Sequence, residues 1–263
     1  TFLLFKNKYI SYIAILLLII SKPSLGTELT FRNILYHITL AIPLLLFSLY
    51  FFLREKYITS SIFLAISLNL HALASIHLLG LYGFYFMLRY KEINKRVIFS
   101  FIVILISMLP LALTQANNQS LTSADPEWLT IINAIDQSHS FPFNWNLTSY
   151  RVNLSFLLLG GLILGFLIKY KPRKKEIDKK IISLCYGFIP IFLAGLIFSE
   201  FYPIERIIVL QFFRASIFLS YIIIFYYIYL IYYLYKNKKD KLDLLLFSFL
   251  AAAIFYADDI PLY

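Results

Sequence analysis

Two polar residues three positions apart, Gln211 and Arg214, interrupt an apolar run that begins at Ile207. On a helix that spacing puts them on one face. At 1.5 Å per residue, Arg214 lies roughly 10 Å inside the outer end of the run. An arginine inside a membrane span costs at least ~2.5 kcal/mol, and such residues usually face a cavity or a partner. The chemistry that fits is the grip of a phosphate or carboxylate; the plainer alternative is an arginine that snorkels to lipid headgroups. Glu205 and Arg206 stand at the mouth of the same run. A second cluster is the string Gln137-Ser138-His139-Ser140-Phe141-Pro142-Phe143-Asn144-Trp145. Asp136 and His139 there, or Glu28 further upstream, could act as a base toward an acceptor hydroxyl. Histidine titrates near neutrality and ligates metals, and the four histidines are His37, His71, His77 and His139. The bland reading of these histidines is bonding to backbone or headgroups. No zinc spacing is present; the cofactor stays unknown, with a divalent metal open but not indicated.

The elements that must carry these residues are membrane helices. The chain is 60% hydrophobic and only 14% charged, with a mean hydropathy of +0.77. Soluble domains carry about 25% charged residues. Runs of ~20 apolar residues cross a bilayer as helices, because lipid gives the backbone no other hydrogen-bond partner. The expectation is an all-α polytopic bundle with spans near 9–21, 34–53, 57–70, 72–88, 97–114, 152–169, 181–199, 207–234 and 243–257. The whole of 1–263 reads as one transmembrane domain. Barrel strands are excluded, since they alternate apolar and polar and these runs do not.

Charge gives each loop a side. Of the 24 Lys and Arg, 19 fall at Lys6/Lys8, in the loops 54–56, 89–96 and 169–180, and at 235–241. With their six acids those gaps carry +13, and the other side carries −3. This is the positive-inside pattern, which makes the basic gaps cytoplasmic and the net +10 an orientation signal that touches anionic lipid. No nucleic-acid partner is needed. Parity holds if 57–88 is a hairpin of two segments with its tip outside. All four histidines, Arg214 and the outer loop 115–151 then share the outer face. Within that loop Ser123 or Asp125 caps a short amphipathic helix near 126–137, ending by about Asp136. Its Trp128, Ile131, Ile132 and Ile135 form one face that lies on the membrane surface. The run Lys169 to Lys180 reads as solvated charge. The single cysteine, Cys185, rules out an internal disulfide framework. Thr1 in place of Met, and the ending Asp258-Asp259-Ile260-Pro261-Leu262-Tyr263, read as a piece of a longer chain.

His139, Pro142 and Trp145 match a His-x-x-Pro-x-x-Trp pattern that resembles a group of bacterial polytopic membrane proteins similar to the GT-C glycosyltransferases. That loop in the group usually reads Arg-x-Pro-His-His-x-x-Pro-x-x-aromatic. A later span there carries a Gln/Arg pair like Gln211 and Arg214, and Asn69-Leu70-His71-Ala72-Leu73 is similar to its His-Pro-Leu turn. This chain departs at Ile135, Ser138 and Ala72. The resemblance covers roughly 34–235. It implies a transferase of the bacterial cytoplasmic membrane that moves a sugar from a polyprenyl-phosphate donor at the outer face. Arg214 and Gln211, with His71, Trp145, Glu205 and Arg206, would bind substrate. A catalytic acid in the first outer loop would be Glu28, the only acid between Lys22 and Asn33.

Two other functions fit the same residues. A transporter or flippase would line its path with Arg214 and Gln211; such proteins show broken spans near the midplane. Here only Pro110 and Pro190 stand out as prolines inside spans, and Gly160, Gly161 and Gly165 suit close helix packing. A non-enzymatic scaffold of a polysaccharide-assembly complex would explain the absence of an obvious carboxylate pair.

Overall fold

The computed structural model describes residues 7–19, 37–116, 124–144, 160 and 176–236. Among them the regular elements are all helical: α1 (Lys8–Ile19), α2 (His37–Leu53), α3 (Tyr57–Leu70), α4 (Ala72–Leu88), α5 (Lys95–Ala116), α6 (Pro126–Ser140), α7 (Glu176–Leu196), α8 (Glu205–Ile208) and α9 (Ser216–Lys236). The protein is all-α over these residues. The spans expected at 152–169 and 243–257 lie outside them, apart from Gly160.

Polar side chains in the gaps start several of the helices. Asn7 Oδ1 accepts the Tyr9 N–H at 2.9 Å, Asn94 Oδ1 accepts the Arg96 N–H at 3.0 Å, and Asp125 Oδ1 accepts the Glu127 N–H at 3.0 Å. Each satisfies an N–H that the first helical turn leaves without a carbonyl. The end of α2 is closed by two backbone bonds, Lys56 N–H to Phe51 O and Glu55 N–H to Phe52 O, both 2.9 Å. That closure places its left-handed residue at Glu55, with φ 61, where glycine is usual.

The chain divides into two compact units, one of Thr1–Phe31, Asn144–Lys175 and Ser216–Tyr263, the other of Arg32–Phe143 and Glu176–Ala215. In the first, α1 packs on α9, and a Cβ on Gly160 would come within 3.2 Å of Ile223. That suits the close helix approach expected of this glycine.

In the second unit α3 lies against α2, α4 and α5, while α4 packs on α7. The hairpin 57–88 forms as two helices with His71 between them. The serines that make 57–70 the least oily run face its neighbours. Ser48 Oγ lies 3.0 Å from Ser60 Oγ and 3.1 Å from the Tyr82 hydroxyl, and Ser60 Oγ donates to the Ser48 carbonyl at 2.9 Å. Ser75 Oγ donates to Ser67 Oγ at 3.0 Å. Such bonds join helices where apolar surroundings offer no competing water. Beside them Phe52 stacks on Tyr82 at 3.9 Å between ring centroids.

The basic run 169–180 is not wholly solvated. Lys180 is buried, its side chain 5% exposed, and its Nζ meets Glu55 Oε1 at 2.5 Å. Nearby, Arg89 pairs with Glu92 at 2.9 Å and reaches Glu176 at 3.8 Å, while the Tyr85 hydroxyl donates to Glu92 at 2.6 Å. The turns at Glu55, Arg89 and Glu176 are thus tied together, which a reading of net charge alone misses.

Among the described residues, two helical stretches, Glu176–Phe201 and Glu205–Leu230, each 26 residues, are long and apolar enough to cross a membrane. This is fewer than the nine or so expected. Ile38–Leu53, Tyr57–Leu70 and Ala72–Leu88 are apolar but shorter; a 17-residue helix such as α4 rises only about 25 Å against a hydrocarbon core of about 30 Å. Among the described residues, proline lies inside three helices, at Pro43 as well as Pro110 and Pro190. Helix α5 presents an exposed apolar row of Ile98, Ile102, Leu105, Leu109 and Leu113, a patch that water disfavours.

Candidate functional site

The apolar run that holds Gln211 and Arg214 is broken at those residues. After Ile204 in extended backbone, Glu205–Ile208 makes a single α-helical turn. Gln211 then takes φ 46, a region that a residue with a Cβ rarely occupies. Phe212–Ala215 winds as a 3₁₀ turn, and α9 begins only at Ser216. The continuous helix expected from Ile207 is therefore corrected. The Gln–Arg pairing survives because residues three apart eclipse in a 3₁₀ turn. The Arg214 N–H donates to the Gln211 carbonyl at 2.9 Å, and Arg214 Nη1 donates to Gln211 Oε1 at 2.5 Å.

No proline or glycine makes the break; its neighbours hold it. His77 of α4 is buried, and its Nε2 lies 2.7 Å from the Leu210 carbonyl oxygen. A carbonyl only accepts, so His77 carries a proton on Nε2 and donates. On the other side, a Cβ at Gly195 of α7 would fall 3.0 Å from Phe212 Cβ and 3.3 Å from the Phe213 ring. The missing side chain is what lets the turn sit against α7. A left-handed non-glycine residue costs on the order of 1–3 kcal/mol and persists where surrounding structure over-determines it. His77 and Gly195 provide that surrounding structure here.

Segment 124–143 closes over the break. Helix α7 ends in a π turn, Ile197–Phe201, a form frequent at functional sites. Glu200 Oε1 in that turn accepts the Phe143 N–H at 2.8 Å, and the Phe143 ring meets Phe201 edge-on at 5.9 Å. The Ala124 N–H donates to the Pro203 carbonyl at 3.0 Å. Both ends of segment 124–143 are thus pinned to residues 200–203, and α6 between them packs on the 212–215 turn. Of the apolar face expected on α6, Trp128 and Ile132 are half-buried while Ile131 and Ile135 are exposed.

Under α6 is a small cleft. Its polar lining is Ser140, Ser199 and Gln211; Gly195, Phe198, Ile207, Phe212 and Phe213 form apolar walls. Ser140 and Ser199 are both buried. The space for a water centre is about 10 Å³, the size of one oxygen atom's site.

The predicted residues separate accordingly. Gln211 and Arg214 are brought together, with Gln211 in the cleft. Glu205 is half-buried and Arg206 exposed on α8, and neither lines it. Asp136 and His139 fall in the last turn of α6, which runs to Ser140 rather than ending by Asp136; their side chains, like Glu28 and Trp145, lie outside the described residues. His71 is the N-cap of α4, its Nδ1 accepting the Ala74 N–H at 3.1 Å. Four residues of this region were not singled out from the sequence: Ser140, Ser199 and Glu200, together with His77, noted only as one of four histidines. The available signal was Ser199-Glu200 closing an apolar run just before Pro203. Among the described residues no three His, Cys, Asp or Glu side chains converge on a metal position. No family model, no curated protein and no solved structure matches the chain.

Proposed function

We propose that the chain is a multi-pass protein of the bacterial cytoplasmic membrane, with about nine spans, and that it works as a GT-C-like glycosyltransferase at the outer face. The observation that carries the reading is the Gln211–Arg214 pair on a helix break that the outer segment 124–143 covers. Irregular backbone at membrane depth is tolerated where protein buries it or where it lines a cavity. An arginine there suits charge that develops on a departing phosphate. In the reaction an acceptor hydroxyl attacks the sugar's anomeric carbon, the carbon–oxygen bond to the polyprenyl phosphate breaks, and the hydroxyl proton passes to a base. Asp136, His139 and Glu28 are the base candidates from the sequence. Glu200 joins them as a half-buried carboxylate beside the cleft. The sidedness rests on the split of +13 and −3 between the two sets of loops, and the exposed Ile131 and Ile135 of α6 suit contact with lipid.

The test is a pair of variants, Arg214→Ala and His139→Ala, in cells scored for surface glycans. Loss of glycan with normal protein levels is expected for both. Unchanged glycans with both variants well expressed would sink the assignment.

A transporter or flippase is the second reading, and the broken span itself favours it. Substrate counterflow in proteoliposomes without a covalent product would select it over the transferase.

A further inference from the structure

A second cleft, of about 290 Å³ counting its open mouth, lies between α2, α3, α4 and α5. Its walls are the apolar parts of Phe52, Tyr57, Leu79, Phe86, Val97 and Phe101. The hydroxyls of Ser60, Ser61, Tyr82 and Ser100 around it are already used. Ser60 Oγ donates to the Ser48 carbonyl at 2.9 Å, and the Tyr82 hydroxyl lies 3.1 Å from Ser48 Oγ. Ser61 Oγ donates to the Ile58 carbonyl at 2.8 Å and Ser100 Oγ to the Arg96 carbonyl at 2.7 Å. A polar ligand would find little there to replace its water, whereas a hydrocarbon needs no such replacement. The cleft is also narrow, with about 20 Å³ open to the centre of a water-sized group, roughly two such positions. That is the width of one methylene chain; a sterol or a sugar ring is too broad.

Charge beside the cleft selects which chain. Lys56 directly precedes Tyr57, and Lys95 and Arg96 directly precede Val97, so three exposed cations adjoin wall residues at the turn end of the helices. The acids of the same turns are already paired: Glu55 meets Lys180 at 2.5 Å, and Glu92 meets Arg89 at 2.9 Å. Among the described residues, none of Lys56, Lys95 and Arg96 has a carboxylate partner. Helix α3 also starts at Lys56 without a side-chain cap, so its positive end adds to that field. Along α5 the lining runs from Val97 to Ile104, about 10 Å of depth away from the charged end. We propose that this cleft binds one acyl chain of an anionic phospholipid of the cytoplasmic leaflet, with the phosphate held by Lys56, Lys95 and Arg96. The exposed Ile58, Ile62, Ile98 and Ile102 of the flanking helices suit the neighbouring chains of a bilayer.

The lipid site rests on the membrane placement given above, with the basic loops cytoplasmic, and not on transferase activity. The purified full chain is reconstituted in phosphatidylcholine nanodiscs with a trace of phosphatidylglycerol or phosphatidylcholine that carries a photoactivatable acyl chain. Cross-linked peptides are identified by mass spectrometry. Wild type is expected to cross-link within 57–61 and 97–104, with the anionic lipid favoured roughly tenfold or more. Lys56→Gln/Lys95→Gln/Arg96→Gln is expected to remove that preference. Lys8→Gln/Lys91→Gln/Lys179→Gln, which loses the same charge from exposed positions elsewhere, is expected to keep it. Ser100→Leu fills the cleft and strands no partner, because the Ser100 hydroxyl bonds back to its own helix; it is expected to lose both lipids from these peptides. No preference in the wild type overturns the site, as do equal losses in the two triple variants or undiminished cross-linking in Ser100→Leu. A chain that enters nanodiscs and fails these tests loses the lipid site alone. A chain that stays monomeric in water without lipid or detergent loses the membrane placement with it.

Discussion

His77 Nε2 and the carbonyl oxygen of Leu210 are 2.7 Å apart although 133 residues separate them in the chain. The bond fixes the broken segment that carries Gln211 and Arg214 against α4. It also settles a chemical ambiguity, because a donor is needed on that nitrogen. The nearby Phe212 ring, 6.5 Å from the imidazole between centroids, keeps the same turn in place.

Replacing His77 by Phe is therefore expected to strip the Leu210 carbonyl of this donor. The cost is about 1–3 kcal/mol for a buried acceptor left without its bond. His77→Gln, which retains an N–H donor, is expected to recover part of it. Thermal unfolding of the three proteins in the same detergent reads the difference. Equal midpoints for His77→Phe and wild type would mean that the break is held by something else.

Two glycines make a matched pair. At Gly195 an added Cβ would press on Phe212 and Phe213, whereas at Gly83 it meets nothing within 4 Å. Gly195→Ala is expected to destabilise by about 1–3 kcal/mol through overpacking. Gly83→Ala, inside α4, is expected to be neutral or to stabilise by up to about 1 kcal/mol, since alanine loses less backbone freedom there. The opposite ranking in an unfolding assay would contradict the close approach of α7 to the 212–215 turn.

Sidedness is checked by chemistry at two exposed positions. In a Cys185→Ser background, Glu127→Cys is expected to react with a membrane-impermeant maleimide added to intact spheroplasts, and Lys91→Cys is expected to react only after lysis. Both native residues are exposed, so burial does not decide the result. Labelling of Lys91→Cys from outside would reverse or abolish the proposed topology.

Much of the architecture is legible from composition and spacing. The hairpin at His71 and the start of α6 at Asp125 follow from local rules, periodicity and capping, that need no tertiary knowledge. The break at 209–215 does not, because its two polar residues, Gln211 and Arg214, keep the spacing of a helix face and no proline or glycine marks it. Its causes, His77 and the space at Gly195, lie on other helices. Lys180 is similar: its neighbours in sequence are charged, so it reads as solvated, while its partner Glu55 arrives from another turn. The Gln211–Arg214 pair was legible for the opposite reason. Spacing of three joins two residues in a 3₁₀ turn as well as in an α-helix, so the pairing outlives the error about the helix.

The serine and tyrosine hydroxyls around Ser48 bear on how the helix hairpin assembles. Sliding one helix by a single residue turns its side chains by about 100°, which would carry Ser60 away from Ser48 and strand hydroxyls in apolar surroundings. The next position that restores a similar face is a full turn away, about 5.4 Å. Helices α2, α3 and α4 thus have discrete stops instead of a continuous range of sliding contacts. An oily hairpin otherwise has little to tell one alignment from the next; here three hydroxyls act as its ruler.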